Sequence, residues 1–362
     1  MVLLGRKSRE VNRDKDEEAV EPYRAAIIGC GRPLHGQGGG FGIAHAHARA
    51  YAACPKTHLI AAADINQENL DAFCAEYHVR GYRDYQALLA QERPDIVSIC
   101  TWPPLHAAMV IDAAAAGVRA IWCEKPMALS LGEIDQMLAA CAQHGATLQV
   151  NHQRRFAAQF RTARELIQSG RLGELVRIEG YVPDWDLLSW GTHWADMIRF
   201  LNEDRPVTWV AAQVECHTGT QRYGHYVEDY SITYFAFVNG VRGFLELGTG
   251  CPQTVGLRIV GTEGFAVIQG NTLRARVRDA ADWFVYTSPE RGEQAFLLAL
   301  EDLLVSIEEQ REPLLSGWSA RATTEILLAA YESAYRRGRV MLPLDVTDFP
   351  LARLITAVRG NA

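Results

Sequence analysis

Tyr23-Arg-Ala-Ala-Ile-Ile-Gly29-Cys30-Gly31 is the stretch on which the fold turns. A short apolar strand breaks there at a glycine and opens a Gly-x-Gly-x-x-Gly spacing, the signature of a strand–turn–helix that holds a pyrophosphate. Arg32 follows the second glycine, but position 34, where the third small residue belongs, is Leu34. The glycine-rich run His35-Gly-Gln-Gly-Gly-Gly-Phe-Gly42 comes next. Two considerations favour an insertion over a missing motif. An acid is expected about 20 residues beyond the glycines, and Asp64 lies 35 past Gly29 but 22 past Gly42. Gly42-Ile43-Ala44 also leads directly into a helical pattern. The third small position is therefore Gly42 or Ala44, with eight or ten residues inserted before it.

Working outward, the pattern predicts a helix from near 42 through 51, a strand over 58–64 and a helix over 69–77. A strand over 95–101, a helix over 105–116 closed by Gly117, a strand over 119–124, a helix over 129–143 and a strand over 147–151 follow. Strands alternating with helices imply a parallel, doubly wound sheet. A lone Gly-x-Gly also arises in flexible surface loops; the strand, helix and strand-end acid around this one point to a dinucleotide. Asp64 would accept from the adenosine ribose hydroxyls and repel a 2′-phosphate, so NAD is favoured over NADP. Trp102, in Thr101-Trp-Pro-Pro-Leu-His106 at the next strand end, either flanks the dinucleotide or packs beside the turn. His45 and His47 stand two apart on a helix and point away from one another, so they do not share a metal ion.

With 362 residues and 48% apolar content the chain suits two globular domains, 23–150 and 151–362, behind a disordered tail over 1–22. That tail has scattered charges and lacks the apolar block of a secretory signal. A net charge of -7 argues against nucleic acid, and no apolar run approaches the roughly 20 residues of a membrane span. The eight cysteines show no Cys-x-x-Cys spacing and read as reduced core residues of a cytoplasmic protein. In the second half, β-like runs at 176–182, 208–216, 231–238, 242–247, 257–261 and 265–269, with Asn239-Gly240 as a hairpin turn, predict a large, mostly antiparallel open sheet. Amphipathic helices over 295–310 and 320–337 would lie on one side of it. His217, His225, Glu228 and Asp229 fall in a loop placed to cover the site, and their spacing demands no metal.

Ala120-Ile-Trp-Cys-Glu-Lys-Pro126 puts Lys125 at the carboxyl end of a buried strand, the edge where open α/β sheets bind ligands. Glu124-Lys125-Pro126 resembles the motif carried at this point by the glucose–fructose oxidoreductases and inositol dehydrogenases, the Gfo/Idh/MocA family. Thr101 and His106 match that family while Trp102 and Pro103 depart from it. Asn151-His-Gln-Arg-Arg-Phe156 and Ile259-Val-Gly-Thr-Glu-Gly264 match its wording, and the resemblance runs from about residue 23 to 344. It implies a Rossmann unit followed by an α+β domain. It also implies a cofactor set of Gly29, Gly31, Arg32, Gly42, Asp64, Thr101, Trp102, His106, Glu124 and Lys125.

In Ser189-Trp-Gly-Thr-His-Trp-Ala-Asp196 the resemblance implies that His193 is the catalytic histidine and exchanges the substrate hydroxyl proton. Lys125 would stabilise the developing alkoxide. Asp196 lies three residues on, on the same helical face. Ser189 departs from the family's aspartate, and Asp184 or, better, Asp186 is placed to substitute. Tyr181, Trp185, Trp190 and Trp194 offer faces for a sugar-like ring, with Arg154 and Arg155 preceding them; Arg155, Asp186, Ser189, Trp190 and Asp196 form the expected substrate set. The expectation is an NAD(P)-dependent oxidoreductase of a secondary alcohol on a sugar, sugar derivative or cyclitol, paired as a homodimer or homotetramer. Two rivals remain: transient oxidation that enables elimination or glycosidic cleavage, and a catalytically silent NAD-binding protein.

Overall fold

The computed structural model of the protein describes residues 21–32, 42–278, 280–289 and 292–360. The expected tail over 1–22, all but its last two positions, and the insertion over 33–41 lie outside the described residues. In the first part strands and helices alternate: β1 (Tyr23–Ile28), α1 (Ala44–Ala53), β2 (Thr57–Ala63), α2 (Gln67–Tyr77), β3 (Arg80–Tyr82), α3 (Tyr85–Glu92), β4 (Ile96–Ile99), α4 (Pro103–Ala115), β5 (Ala120–Cys123), α5 (Leu131–His144) and β6 (Thr147–Val150). The six strands form one parallel sheet in the order β3-β2-β1-β4-β5-β6. The order reverses between β1 and β4, which opens a crevice at their carboxyl ends.

Strands of such a sheet are covered on both faces and read as continuous apolar runs. Ala25, Ala26, Ile27 and Ile28 are accordingly all buried. One face packs on α4 and α5 through Val110, Leu131 and Ile134. The other packs on α1 through Ala48 and Tyr51. Helix α4 begins at Pro103, two residues earlier than its pattern suggested, because a proline in the first turn has no N–H to lose.

The remaining elements are α6 (Ala158–Gln168), β7 (Leu175–Pro183), α7 (Thr192–Leu201), β8 (Val207–Glu215), β9 (Gln221–Arg222), β10 (His225–Tyr226), β11 (Tyr230–Phe237), β12 (Arg242–Gly248), β13 (Gly256–Gly261), β14 (Phe265–Gln269), β15 (Thr272–Arg276), β16 (Phe284–Thr287), α8 (Gly292–Glu309), α9 (Gly317–Arg336), β17 (Val340–Met341) and α10 (Pro350–Gly360). Nine of the strands form a second sheet ordered β16-β15-β14-β13-β7-β12-β11-β8-β17, antiparallel except where β7 meets β12. Asn239-Gly240 makes the β11–β12 turn, with Gly240 at φ +89°. Phe235, Leu245 and Leu247 point inward and share a core with Ile198 of α7 and Leu327 of α9. The outer face presents Tyr181, Trp209, Ile232, Tyr234 and Phe244, none fully buried.

Helix α8 leaves this second layer and returns to the first. Phe296, Leu300 and Leu303 complete the core formed by Ala25, Ile27, Tyr51 and Trp122. Among the described residues no helix is long and apolar enough to cross a membrane.

Candidate active site

The first half of the site is built where β1 ends. Gly29 has φ +89° and Gly31 φ +67°, both in the left-handed region that side chains avoid. Space is equally restrictive. A Cβ on Gly29 would stand 2.9 Å from Thr101 Cγ2, across the sheet's switch point, and one on Gly31 would stand 2.5 Å from Gly42 Cα. A Cβ on Gly42 would meet Gly31 Cα at 2.6 Å. Gly42 is thus the third small position, resolving the choice between it and Ala44. The Gly42 N–H donates to the Arg32 carbonyl at 3.3 Å, so the chain returns to the point where the insertion left it.

Helix α1 starts beside these glycines with no side-chain cap and no acid in its first turn. Helices α2, α3 and α5, by contrast, are capped by Asn66, Asp84 and Ser130. An uncapped helix start beside a side-chain-free turn is a place for phosphate oxygens. Asp64 closes the turn: its carboxylate accepts from the Cys30 N–H at 2.9 Å, the Gly31 N–H at 3.3 Å and the Asn66 N–H at 2.7 Å. The residues present fit a dinucleotide, with Gly29, Gly31 and Gly42 against the pyrophosphate and Asp64 at the ribose.

The second half of the site grows from β5. Lys125 follows that strand, and its ammonium donates to the Ser189 carbonyl at 3.0 Å, which ties the first sheet to the turn preceding α7. Burial pulls the Lys125 pKa down, against the pull of the Glu124 carboxylate. That turn is a short π-type segment, Leu187–Gly191, fixed by Asp186, whose Oδ1 accepts from the Ser189 N–H at 2.7 Å. Asp186 Oδ2 is buried without a hydrogen-bond partner, 3.9 Å from Arg222 Nη1. Ser189 Oγ and His193 Nδ1 are likewise buried and unpartnered. Three orphaned polar atoms between residues 186 and 193 mark this segment as a place for polar ligand groups.

His193 is the second residue of α7, whose start has no side-chain cap. Burial holds its pKa well below the usual histidine range, helped by the positive charges of Lys125 and Arg154. The imidazole is therefore neutral at physiological pH. Trp190 lies edge-on to it at 6.4 Å and stacks on Trp185 at 5.1 Å and 26°. The β9–β10 hairpin leans over this stack: Arg222 sits 4.4 Å above the Trp185 ring, and Gly224 abuts the Trp102 ring. Trp102 is thus contacted by the second layer, while its own surface remains 59% exposed.

Several expected contacts are corrected by the geometry. Arg155 and Asp196 do not line the cleft. The Arg155 guanidinium is 1% exposed and makes four hydrogen bonds of 2.7–2.8 Å, two to Asp196 and two to Asp204. Asp196 also accepts from Thr323. This pair is a brace between the segment after β6 and helices α7 and α9. His106 lies between two carbonyls, its Nδ1 3.0 Å from the Pro126 oxygen and its Nε2 3.0 Å from the Thr101 oxygen, donates to one of them, and so packs the lysine-bearing turn against the end of β4. Glu124 is likewise closed off: its carboxylate takes His47 at 3.0 Å, Asn151 at 2.5 Å and the Lys125 N–H at 3.2 Å. His106 and Glu124 position Lys125 and do not face a cofactor. His47, whose ring lies 4.0 Å from Trp122, packs between helix and sheet.

The sequence reading missed one group and chose the wrong one of two arginines. His152, buried beside Thr192 at 2.8 Å, sits edge-on to His193 with ring centres 6.0 Å apart. Arg154, rather than Arg155, faces the aromatic cluster, with its guanidinium 4.4 Å from the Trp194 ring and 5.5 Å from Trp190. Both lie at the start of a tight 3₁₀ turn, Gln153–Phe156, where adjacent side chains point about a third of a turn apart. Sequence alone cannot choose between neighbours in such a turn.

Residues 23–152 match the sequence model of an oxidoreductase family with an NAD-binding Rossmann fold, and residues 160–267 match the same family's C-terminal domain. The chain belongs to the Gfo/Idh/MocA family. Relatives include the uncharacterized oxidoreductase YrbE of Bacillus subtilis (strain 168), 31% identical over 44% of this chain and 44% of that protein. Inositol 2-dehydrogenase of Burkholderia multivorans (strain ATCC 17616 / 249) is 26% identical over 74% of this chain and 82% of its own. The match thus spans less than half of the first relative and most of the second. Among solved structures, levoglucosan dehydrogenase in complex with NADH and levoglucosan superposes with a TM-score of 0.78, covering 90% of this chain and 100% of that one at 21% identity. That likeness is one of fold.

Proposed function

We propose that this protein is an NAD-dependent dehydrogenase acting on a secondary alcohol of a sugar, sugar derivative or cyclitol. One observation carries the reading: a half-buried ammonium from the first sheet, Lys125, and a buried neutral imidazole from α7, His193, are brought to the same π-type turn at the carboxyl edge of the glycine-bearing sheet. Nicotinamide held on that edge supplies the hydride acceptor or donor. His193 takes the hydroxyl proton as the alcohol is oxidised and returns it in reduction; a neutral imidazole is the form that can accept it. Lys125 spends one N–H on Ser189 and keeps two for the substrate oxygen, stabilising charge that develops there. Asp186 Oδ2, open and buried, supplies the acceptor that Ser189 cannot, and holds a neighbouring hydroxyl. Trp190 and Trp185 give a flat apolar wall for the C–H face of a ring.

We assign residues 23–150 to dinucleotide binding and 151–362 to substrate binding and oligomerisation. The outer face of the second sheet, with Trp209, Tyr234 and Phe244 half-exposed, suits a second copy of the chain as a homodimer or homotetramer, and the protein is read as cytoplasmic. Screening purified protein with NAD and NADP against sugars, glycosides and inositols, following reduced-nicotinamide absorbance, tests the reading. Lys125→Met and His193→Asn should each lower kcat/KM on the order of 10²- to 10³-fold; unaltered turnover in either would overturn its assignment. Ser189 favours a second reading, oxidation that is later reversed within one turnover; it predicts retained cofactor and consumed glycoside with no net NADH.

A further inference from the structure

Arg154 is a half-buried cation whose partner is missing. Its Nε is buried without a hydrogen-bond acceptor, and among the described residues its guanidinium makes no ion pair. Arg155, next along the chain, is matched by two carboxylates. Withdrawing even part of a charge from water without compensation is costly, and burial alone brings the Arg154 pKa down to about 10. No nearby acid relieves it. Glu124 is consumed by His47 and Asn151, Asp196 by Arg155, and the open oxygen of Asp186 faces Arg222. The groups that Arg154 does reach electrostatically are Lys125 and His193, and it disfavours the charged form of both.

The guanidinium is also shaped for a ligand. Indole rings lie against it, Trp194 at 4.4 Å and Trp190 at 5.5 Å, which desolvate its faces and hold its plane. What remains is the donor edge, whose fork matches the two oxygens of a carboxylate or phosphate. We propose that the substrate carries an anionic group, a carboxylate or a phosphate, which sits on the donor edge of Arg154 while the reacting hydroxyl lies between Lys125 and His193. The inference rests on the dehydrogenase reading and narrows it to sugar acids or sugar phosphates.

Calorimetric titration of the NAD-loaded protein tests this without requiring turnover. The probes are D-glucuronate and D-galacturonate, the corresponding hexose phosphates, and the uncharged parents D-glucose and D-galactose. At least one anionic sugar should bind on the order of 10- to 100-fold more tightly than its parent, and the carboxylate and phosphate arms tell which anion is meant. Arg154→Met should erase that preference and Arg154→Lys should keep part of it. Equal binding of charged and uncharged sugars, no binding of any of them, or a preference that survives in Arg154→Met would overturn the proposal. Reduced-nicotinamide absorbance on the same sugars separates the two ideas. Turnover of neutral sugars without charge preference removes the anion site and leaves the dehydrogenase. Tight, Arg154-dependent binding of an acid with no redox change retains the anion site and counts against the dehydrogenase.

Discussion

Gly42→Ala tests the cofactor cradle at its tightest point. The added methyl would stand 2.6 Å from Gly31 Cα, 2.8 Å from the Cys30 carbonyl oxygen and 3.1 Å from the Gly31 carbonyl carbon. Carbon atoms attract best at about 3.5–4.0 Å, so the two strands of backbone must separate by about 1 Å. All three atoms belong to the main chain, and no side chain can swing aside. Overpacking of this kind costs about 1–3 kcal/mol. The displaced atoms are the cradle itself, so the cost should appear in NAD affinity as a loss of roughly 5- to 150-fold. Gly292→Ala is the control, since a methyl there meets nothing within 4 Å among the described residues and the backbone needs no left-handed conformation. Calorimetric NAD titration of both variants, with melting of the free proteins, makes the comparison. A Gly42→Ala protein that binds NAD as tightly as the parent would refute the reasoning.

Removing residues 34–41 restores the spacing Gly29-x-Gly31-x-x-Gly42, and because Arg32 and Gly42 already touch, NAD affinity should stay within a few-fold of the parent by the same titration. Asp196→Asn breaks a buried pair and leaves Arg155 with Asp204 alone; stability should fall by about 3 kcal/mol in urea denaturation. Turnover per folded molecule should change little, and a selective rise in KM would restore Asp196 as a substrate contact. His152 is held by burial at a pKa of about 4 against an ordinary 6.5, so the unfolded chain binds a proton that the folded one refuses. Its stabilising contribution is full above pH 6.5 and is lost as pH falls towards 4, about 3 kcal/mol in all. Glu228, raised by burial to about 7, acts oppositely, losing its contribution as pH rises towards 7. The difference between parent and His152→Gln in urea denaturation across pH 4 to 7 isolates the histidine, and a flat difference would contradict its burial.

The parallel sheet was legible because buried strands write themselves as unbroken apolar runs; Ala25–Ile28 and Ala120–Cys123 admit no other reading at that length. The spacing of Asp64 from Gly42 located the insertion for the same reason, since the distance from turn to strand-end acid is set by one helix. Short elements were not legible. β3 has three residues, and β9, β10 and β17 have two each, too few to show a period. For the site, Lys125 and His193 stood out because each follows an unambiguous element boundary. Glu124 and His106 were misread because an acid and a histidine beside a cofactor edge look alike whether they face the ligand or the protein. Only their partners, His47 and Asn151 for one and two carbonyls for the other, decide it.

Helix α8 has a consequence for synthesis of the chain. The apolar cluster that α1 and the first sheet share around Tyr51 and Trp122 is completed by Phe296, Leu300 and Leu303, which leave the ribosome long after β6 does. At roughly 5–20 residues per second, the gap of about 140 residues keeps that cluster incomplete for about seven to thirty seconds. A nascent chain stalled after β6 would therefore be sticky and chaperone-bound, and a fragment cut there should precipitate where the whole chain stays clear.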